Sequence, residues 1–166
     1  MSVRDARPGD AEAIARVHVR TWQGAYRHVF SDEALDSITI EGRVEGWRRM
    51  ITEPRPRSHV LVAEDGAGVQ GFASGGPADD DGSLGELYAI YVLPEAWGAG
   101  HGRALIAESV ERLRADGFPE AILWVLEDNP RTRRFYELAG WRLDGEPREH
   151  TFLDTPVRVV RYRTPL

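Results

Sequence analysis

The pattern of apolar and polar positions predicts helices in the first third of the chain and mostly strands after it. Helical spacing begins after Asp10, a good N-cap, and continues through Trp22 and Phe30 before a new start at Ser31. From residue 59 onward, short runs rich in β-branched and aromatic residues are typical of strands. The predicted strands cover 2–6, 59–63, 69–74, 86–93, 121–126, 141–144 and 157–162, with a loop at 75–83. The later predicted helices cover 41–50, the stretch after Gly102, and 131–139.

One stretch, residues 85–113, organises the rest of the chain. Its strand ends at Pro94, which cannot donate to a sheet, and Gly98, Gly100 and Gly102 then precede an amphipathic helix. A glycine-rich turn entering a helix leaves backbone N–H groups without partners, and the helix dipole adds partial positive charge there. Glycine also keeps side chains out of the way of a ligand. The stretch therefore predicts a site for a phosphate or pyrophosphate.

Two common phosphate-binding motifs do not fit this stretch. A P-loop needs a Lys after its last glycine, and the chain contains no Lys, while a dinucleotide fingerprint needs G-x-G-x-x-G directly after the strand. Residues 97–102 instead resemble motif A of the GNAT superfamily, the acyl-CoA-dependent N-acyltransferases, except that Trp97 replaces an Arg or Gln. A plain strand-to-helix turn is the other interpretation. The resemblance implies that coenzyme A is held, mainly at its pyrophosphate, by Gly98, Ala99, Gly100, His101, Gly102 and Arg103.

A second segment, residues 129–141, resembles motif B of the same superfamily. In that motif an Asn closes a strand and a Tyr follows seven residues later on a helix, and Asn129 and Tyr136 stand at those places. The resemblance implies that Asn129 contacts the pantetheine arm or its surroundings and that the Tyr136 phenol lies near the thioester sulfur. Because a phenol titrates near pH ~10 and a thiol near ~8.5, Tyr136 can protonate a departing thiolate. The alternative is a tyrosine packed under the sheet.

Glu86 is the candidate general base, because a carboxylate can accept the proton that an ammonium loses before its nitrogen attacks a carbonyl. Its position resembles that of the strand glutamate in the histone-acetylating branch of the superfamily. Strand alternation places Glu86, Tyr88, Ile90 and Val92 on one face of the predicted strand. Glu127 and water are the alternatives as base, and a solvated carboxylate is the other interpretation of Glu86.

The resemblance also implies contacts along the rest of the site. Ile90, Tyr91 and Val92 are expected to line the pantetheine arm through backbone groups, and an N–H near Val92 to polarise the thioester carbonyl. The acceptor side is expected at 22–30 and 79–81, where aromatic rings and carboxylates suit a cationic amine. The other interpretation of these two segments is core packing and a solvated turn.

The order of the predicted elements is the GNAT order over essentially the whole chain: one strand, helices, three strands, helix, strand, helix and two strands. The crossover through residues 86–126 makes the central strand pair parallel. We therefore expect an α+β fold with a mixed, mostly antiparallel central sheet and helices on both faces, in one domain spanning residues 1–166.

Composition and charge narrow the chemistry further. A formal charge of −6 argues against nucleic-acid binding, and the lack of Cys excludes thiolate catalysis and thiolate metal sites. The five His residues show no ligand spacing, so no metal site is expected. With no long apolar run and no signal peptide, we expect a cytoplasmic protein that does not contact a membrane. Val157, Val159 and Val160 suggest an edge contact, and a homodimer is a further expectation.

Together these observations favour an N-acetyltransferase that moves the acetyl group of acetyl-CoA to a primary amine by direct attack, without a covalent enzyme intermediate or a metal. A small-molecule amine is the favoured acceptor, with a protein N-terminal or lysine amine, or a longer acyl donor, as alternatives. An alternative from another class is a non-catalytic acyl-CoA-binding or sensing domain. Such a domain would keep the glycine-rich turn and need neither Glu86 nor Tyr136.

Overall fold

The computed structural model describes residues 1–166, which form eight strands and five α-helices. In chain order these are β1 (Ser2–Asp5), α1 (Ala11–Ala25), α2 (Asp32–Asp36), α3 (Ile40–Thr52), β2 (His59–Asp65), β3 (Gly68–Pro77), β4 (Gly85–Val92), α4 (His101–Ala115), β5 (Glu120–Leu126), α5 (Pro130–Leu138), β6 (Arg142–Leu143), β7 (Arg148–Phe152) and β8 (Thr155–Pro165). Single turns of 3₁₀-helix lie at Pro8–Asp10 and Pro94–Ala96. None of the helices combines the length and the apolar character that a membrane span requires.

The eight strands form one sheet in the order β1-β2-β3-β4-β5-β8-β6, and β7 also pairs with β8. Every pairing is antiparallel except that of β4 with β5. That pair is parallel because α4 carries the chain back between the two strands, so both run in the same direction. The predicted α+β class, the mostly antiparallel sheet and the parallel central pair are confirmed.

Helices cover both faces of the sheet, as the sequence predicted. On one face α4 and α5 contribute Leu105 and Tyr136 to a cluster of 15 buried residues. On the other face α1 contributes Ile14 to a second cluster, where it lies with Phe72 of β3. Because each helix buries one apolar stripe, the sheet is held between two layers, and the strands that border the site cannot shift independently.

The middle of the sheet contains an opening. The strands β4 and β5 are paired only at their first residues, where Gly85 lies opposite Ala121 and Glu86 opposite Ile122. Beyond these residues the two strands separate, while β4 stays paired with β3 as far as Val92. One edge of β4 is therefore left without a partner strand over most of its length.

A β-bulge in β4 corrects one prediction. Relative to β3, the strand has one extra residue, Tyr88, between Leu87 and Ala89. Because of this insertion, Leu87 and Ile90 both pack toward α4, whereas Ala89 packs in the cluster of α1. The prediction that Glu86 shares a face with Ile90 is therefore wrong. Glu86 precedes Leu87 and points to the opposite face of the sheet, the side of α1.

Two boundaries and one further strand also differ from the sequence prediction. The helix α1 ends at Ala25, so its predicted continuation to Phe30 is wrong. The strand β3 runs on to Pro77 and takes in the start of the predicted loop at 75–83. The strand β7 was not predicted at all. Its residues are mostly exposed and polar, so no apolar alternation marks it as a strand.

The three valines that prompted the homodimer expectation do not form an exposed sheet edge. Val157, Val159 and Val160 are buried within the chain, at 8%, 5% and 3% exposure. Their strand, β8, lies between β5 and the pair β6 and β7, so it is not an edge strand. The homodimer stays a prediction, without these valines as its basis.

Candidate active site

A cleft of about 1440 Å³ follows the unpaired edge of β4 and is bounded by β5 and α5 on its other side. Its two ends differ in charge. The loop and first turn of α4, residues 98–103, form one end, which we call the cradle. Asp79, Asp80 and Glu86 line the other end, which we call the acidic end. Because Glu86 and Val92 stand six residues apart on β4, the two ends are separated by roughly 20 Å.

The cradle presents backbone N–H groups to open space. None of the N–H groups of residues 98–103 donates to another backbone group of the chain. Gly98 and Gly100 have φ values of +83° and +91°, a region that side chains disfavour, and a Cβ built on Gly98 would meet no atom within 4 Å. The dipole of the 15-residue helix α4 adds partial positive charge at this point. These features of the cradle would suit an anionic group.

The side chain of His101 does not face this space. His101 is 3% exposed, and its Nε2 lies 3.1 Å from Oδ2 of Asp65, at the end of β2. Only the backbone of His101 is thus available at the cradle. Its ring instead ties the first turn of α4 to the hairpin between β2 and β3, which keeps the cradle in place.

Three arginines line the cleft, and only the one at the acidic end has an acidic partner. Arg148 forms an ion pair with Asp80 at 3.1 Å, whereas Arg103 and Arg131 form none. Both unpaired guanidinium groups belong to the part of the cleft around the cradle. The cleft therefore offers uncompensated positive charge where the unpaired N–H groups also lie.

The unpaired edge of β4 carries further donors. The N–H of Leu93 donates to the carbonyl oxygen of Gln70 at 2.8 Å, so the N–H of Val92 points away from β3 and into the cleft. By the same alternation the N–H of Ile90 also faces the cleft. The side chain of Tyr91 packs on the α1 side, where it stacks on His18 with ring centroids 5.5 Å apart. Ile90 and Val92 thus present backbone groups to the cleft, whereas the backbone groups of Tyr91 face β3, contrary to the expectation for that residue.

Tyr136 brings a phenol to the wall of the cleft. It is 6% exposed, and its ring packs against Phe135 and Tyr162 at centroid distances of 5.4 and 6.3 Å. Burial raises the pKa of Tyr136 above its usual value, and the nearby Tyr91 raises it further. The phenol is therefore neutral and able to donate a hydrogen bond.

The structure adds a second phenol that sequence reasoning missed. Tyr26, which ends α1, lies near both Tyr91 and Tyr136, and burial raises its pKa as well. The nearby side chain of Asn129 opposes that rise. Asn129 also begins α5, because its Oδ1 accepts a hydrogen bond from the N–H of Thr132 at 3.2 Å. No local pattern could have paired α1 with α5 in this way.

Glu86 is the titratable group at the acidic end. Burial raises its pKa to about 7, Asp79 and Asp80 contribute in the same direction, and Arg148 opposes them. A carboxyl group with this pKa is divided between its acid and base forms at neutral pH. The alternative base, Glu127, does not line the cleft, and its carboxylate accepts a hydrogen bond from Arg158 Nε at 2.7 Å.

The acidic end is bordered by contacts between distant segments. Arg148 lies 3.5 Å from the ring centroid of Trp124 and reaches across to Asp80, and Arg55 pairs with Asp79 at 2.9 Å. Of the segments expected here, Trp22, Tyr26, Asp79 and Asp80 do line the cleft, whereas Phe30 and Asp81 do not. Trp124 and Arg148 were missed, because nothing in the sequence near them marks a site.

Comparisons with known proteins agree with this geometry. A family model described as the acetyltransferase (GNAT) family matches residues 13–141. The uncharacterized N-acetyltransferase YuaI of Bacillus subtilis is 39% identical over 133 residues, which cover 78% of this chain and 74% of that protein.

Two solved structures show the same fold. A ribosomal-protein-alanine N-acetyltransferase from Brucella melitensis superposes over 100% of both chains with a TM-score of 0.78 at 22% identity. A phosphinothricin acetyltransferase from Sinorhizobium meliloti, in complex with AcCoA, gives 0.78 at 24% identity and covers 99% of this chain and 88% of its own. The family match and the sequence relative show that the chain belongs to the GNAT family, the acyl-CoA-dependent N-acyltransferases.

Proposed function

We propose that this N-acyltransferase moves the acetyl group of acetyl-CoA to a primary amine on a small molecule, by direct attack and within a single domain spanning 1–166. The observation that carries the proposal is one cleft with unpaired N–H groups and cations at one end and a half-buried carboxyl group at the other. The cradle offers unpaired N–H groups and free arginines, and the acidic end offers Glu86. Acetyl-CoA is anionic at its phosphates, and an amine acceptor is cationic before it reacts, so the charges match a pair of substrates.

The cradle fits the coenzyme by its chemistry. Phosphate oxygens accept hydrogen bonds from backbone N–H groups, and the positive φ values at Gly98 and Gly100 keep these groups convergent. We assign pyrophosphate binding to the backbone of Gly98, Ala99, Gly100, His101 and Gly102, with Arg103 as a cationic contact. When bound, acetyl-CoA supplies an activated thioester. A relative of the same fold was solved in complex with AcCoA.

Between the ends, the free edge of β4 takes two roles. The backbone of Ile90 and Val92 pairs with the amide groups of the pantetheine arm, as a further strand would. The N–H of Val92 stabilises the oxyanion that develops when the amine attacks, a contribution of about 2.7–4 kcal/mol per donor in comparable acyl transfers. Asn129 begins α5 and thereby orients the helix that carries Tyr136.

Proton transfer is assigned to Glu86 and Tyr136. Glu86 accepts the proton that the ammonium loses, directly or through water, and its pKa of about 7 suits a base that works near neutral pH. Tyr136 donates a proton or a hydrogen bond to the departing thiolate, since its raised pKa keeps the phenol protonated. No residue needs to form a covalent bond with the acetyl group.

The contacts that border the acidic end favour a small acceptor over a protein chain. The Arg148–Asp80 ion pair links β7 to the loop before β4 across the rim, and the Arg148 guanidinium is stacked on Trp124. A polypeptide would have to displace these contacts along its length, whereas a compact amine needs only the space beside Glu86. The names of the structural relatives include both a protein-acetylating and a small-molecule enzyme, so they do not decide between these acceptors.

The test is release of free thiol from acetyl-CoA with small amines, peptides with free N-termini and lysine peptides as acceptors. We expect turnover with small primary amines and little with peptides. Turnover with peptides alone would contradict the acceptor class. Binding of acetyl-CoA without turnover of any acceptor would support the sensing domain instead.

Coenzyme binding itself is tested with Gly100→Val. A valine at φ +91° is strained and places its side chain at the cradle, so we expect affinity for acetyl-CoA to fall by at least about a hundredfold, a change of ~2.7 kcal/mol. Gly117→Val is the matched control, because Gly117 has φ +82° and lies at the far end of α4. Calorimetry should show unchanged affinity in the control; equal affinity in both variants would contradict the cradle assignment.

A further inference from the structure

Trp97 holds an exposed ring at the mouth of the cradle. The ring is 41% exposed, although a tryptophan is among the costliest side chains to leave in water. Its Nε1–H donates to the carbonyl oxygen of Val92 at 2.8 Å, which fixes the indole at the end of β4. Trp97 also directly precedes Gly98, the first residue of the cradle. An exposed ring held this firmly beside a binding site has a surface available for a second contact.

That contact is with Arg131. The guanidinium carbon of Arg131 lies 3.7 Å from the centroid of the Trp97 ring, the geometry of a cation–π interaction. The interaction crosses the cleft, because Trp97 belongs to the segment after β4 and Arg131 to the first turn of α5. It therefore joins the two sides of the opening at the cradle end.

The placement of Arg131 becomes more favourable when an anion is bound nearby. A cation in the first turn of a helix is repelled by the positive end of the helix dipole, and here the N-termini of α4 and α5 both border the cleft. Arg131 has no ion-pair partner in the chain. The two next arginines of α5 are engaged elsewhere: Arg133 donates to the hydroxyl of Tyr162 at 3.1 Å, and Arg134 pairs with Glu137 at 3.7 Å.

We propose that Arg131, held against the ring of Trp97, binds the pyrophosphate of the coenzyme. Trp97 is then a positioning residue that acts through Arg131. The inference rests on the proposed function, since it concerns the same ligand. The pyrophosphate is favoured over the 3′-phosphate because Trp97 is covalently adjacent to Gly98, so the stacked guanidinium borders the N–H groups of the cradle itself.

The experiment measures the affinity of the full chain for CoA and for dephospho-CoA, which lacks the 3′-phosphate, by calorimetry. We expect Arg131→Gln to weaken both ligands equally, by about ten- to a hundredfold, as for loss of a hydrogen bond to a charged group. Arg134→Gln is the matched control, because it removes the same charge from the same helix outside the cleft. Its affinities should stay within about twofold of the wild type.

The stacking of Arg131 on Trp97 is tested by a double-mutant cycle. Trp97→Ala should weaken both ligands, and Trp97→Phe, which keeps an aromatic ring, should weaken them less. The double variant Trp97→Ala/Arg131→Gln should bind no more weakly than Arg131→Gln alone, because residues that act as a unit are non-additive. Additive losses would overturn the positioning role of Trp97.

The remaining outcomes each decide the assignment. If Arg131→Gln loses affinity for CoA but not for dephospho-CoA, the pyrophosphate assignment is overturned in favour of the 3′-phosphate. If Arg134→Gln loses as much affinity as Arg131→Gln, the effect of Arg131 is only general charge attraction. If Arg131→Gln binds like the wild type, this inference fails while coenzyme binding stands. If the wild type binds neither ligand, the proposed function itself fails.

Discussion

The two ends of the cleft are built in opposite ways. The cradle consists of six consecutive residues, and its binding groups are backbone N–H groups, which need glycine at residues 98 and 100 but no particular side chain. The acidic end is assembled from side chains of distant segments: Trp22 of α1 with Tyr26 directly after it, Asp79 and Asp80 before β4, Glu86 of β4, Trp124 of β5 and Arg148 of β7. The cradle is therefore a local structure, and the acidic end is a product of the whole fold.

This difference indicates where amino-acid substitutions are tolerated. The backbone N–H groups of the cradle recognise a phosphate and do not depend on the acceptor. A cradle of this kind can therefore bind the same coenzyme whatever the acceptor is. The acidic end can change through any of five segments without disturbing the cradle. We therefore expect changes at the cradle to affect coenzyme affinity, and changes toward the acidic end to affect turnover and its pH dependence.

The largest expected effect on turnover is that of Tyr136→Phe. The substitution keeps the buried ring and removes only the phenol, so affinity for acetyl-CoA should persist while kcat falls by about 10²- to 10⁴-fold. Steady-state kinetics together with calorimetry would separate the two quantities. Loss of coenzyme affinity would instead make Tyr136 part of the binding site.

The matched comparison is Tyr26→Phe, which removes the second phenol near Tyr136. If Tyr136 is the acid, Tyr26→Phe should reduce kcat by less than about tenfold, because the Tyr26 phenol then only borders the acid. A larger loss in Tyr26→Phe than in Tyr136→Phe would transfer the acid role to α1.

The next effect concerns Glu86→Gln and pH. The pKa of Glu86 is about 7, so the wild-type kcat/KM should fall as the pH drops below 7 and the carboxylate is protonated. The Glu86→Gln variant should not show this fall in kcat/KM below pH 7. Near pH ~7.5, where a primary amine with a pKa of ~10.4 is still protonated, we expect a loss of about 10²-fold, the lower end for a general base, since water can also accept the proton.

The defect of Glu86→Gln should shrink as the pH approaches ~10, because more of the acceptor is then already a free amine. Rate measurements across this range check the assignment. A variant whose pH profile parallels that of the wild type would leave Glu86 without a role as base.

The smallest effect is on stability. In the folded chain the pKa of Glu86 is raised from 4.5 to about 7, so its contribution favours folding below pH 4.5 and is lost as the pH rises through 7. Glu86→Gln should therefore raise the free energy of unfolding at pH 8 by about 1–2 kcal/mol, a figure reduced for partial solvent exposure, and give no gain at pH 4. Denaturant unfolding at both pH values measures this difference. A variant less stable than the wild type at pH 8 would show that the buried carboxylate is stabilised rather than strained.

Sequence reasoning succeeded where the signal was local. The alternation of apolar residues gave most strands, the glycine spacing gave the cradle, and helical periodicity gave α1, α3, α4 and α5. It failed where neighbouring strands decided the outcome. The bulge at Tyr88 exists only relative to β3, and β7 is a strand only because β8 lies beside it. The sequence of an isolated segment does not show which strand will pair with it.

By itself, then, the sequence determined the features that depend on consecutive residues: the glycine-rich cradle, the helix behind it and the Asn129-to-Tyr136 spacing that marks α5. Only the tertiary structure decided which face Glu86 occupies, that Tyr26 approaches Tyr136, and that Arg131 stacks on Trp97. The physical reason is that backbone hydrogen bonding and helical spacing are set within a few residues. Desolvation, ion pairing and stacking depend on atoms that the chain brings together from far apart.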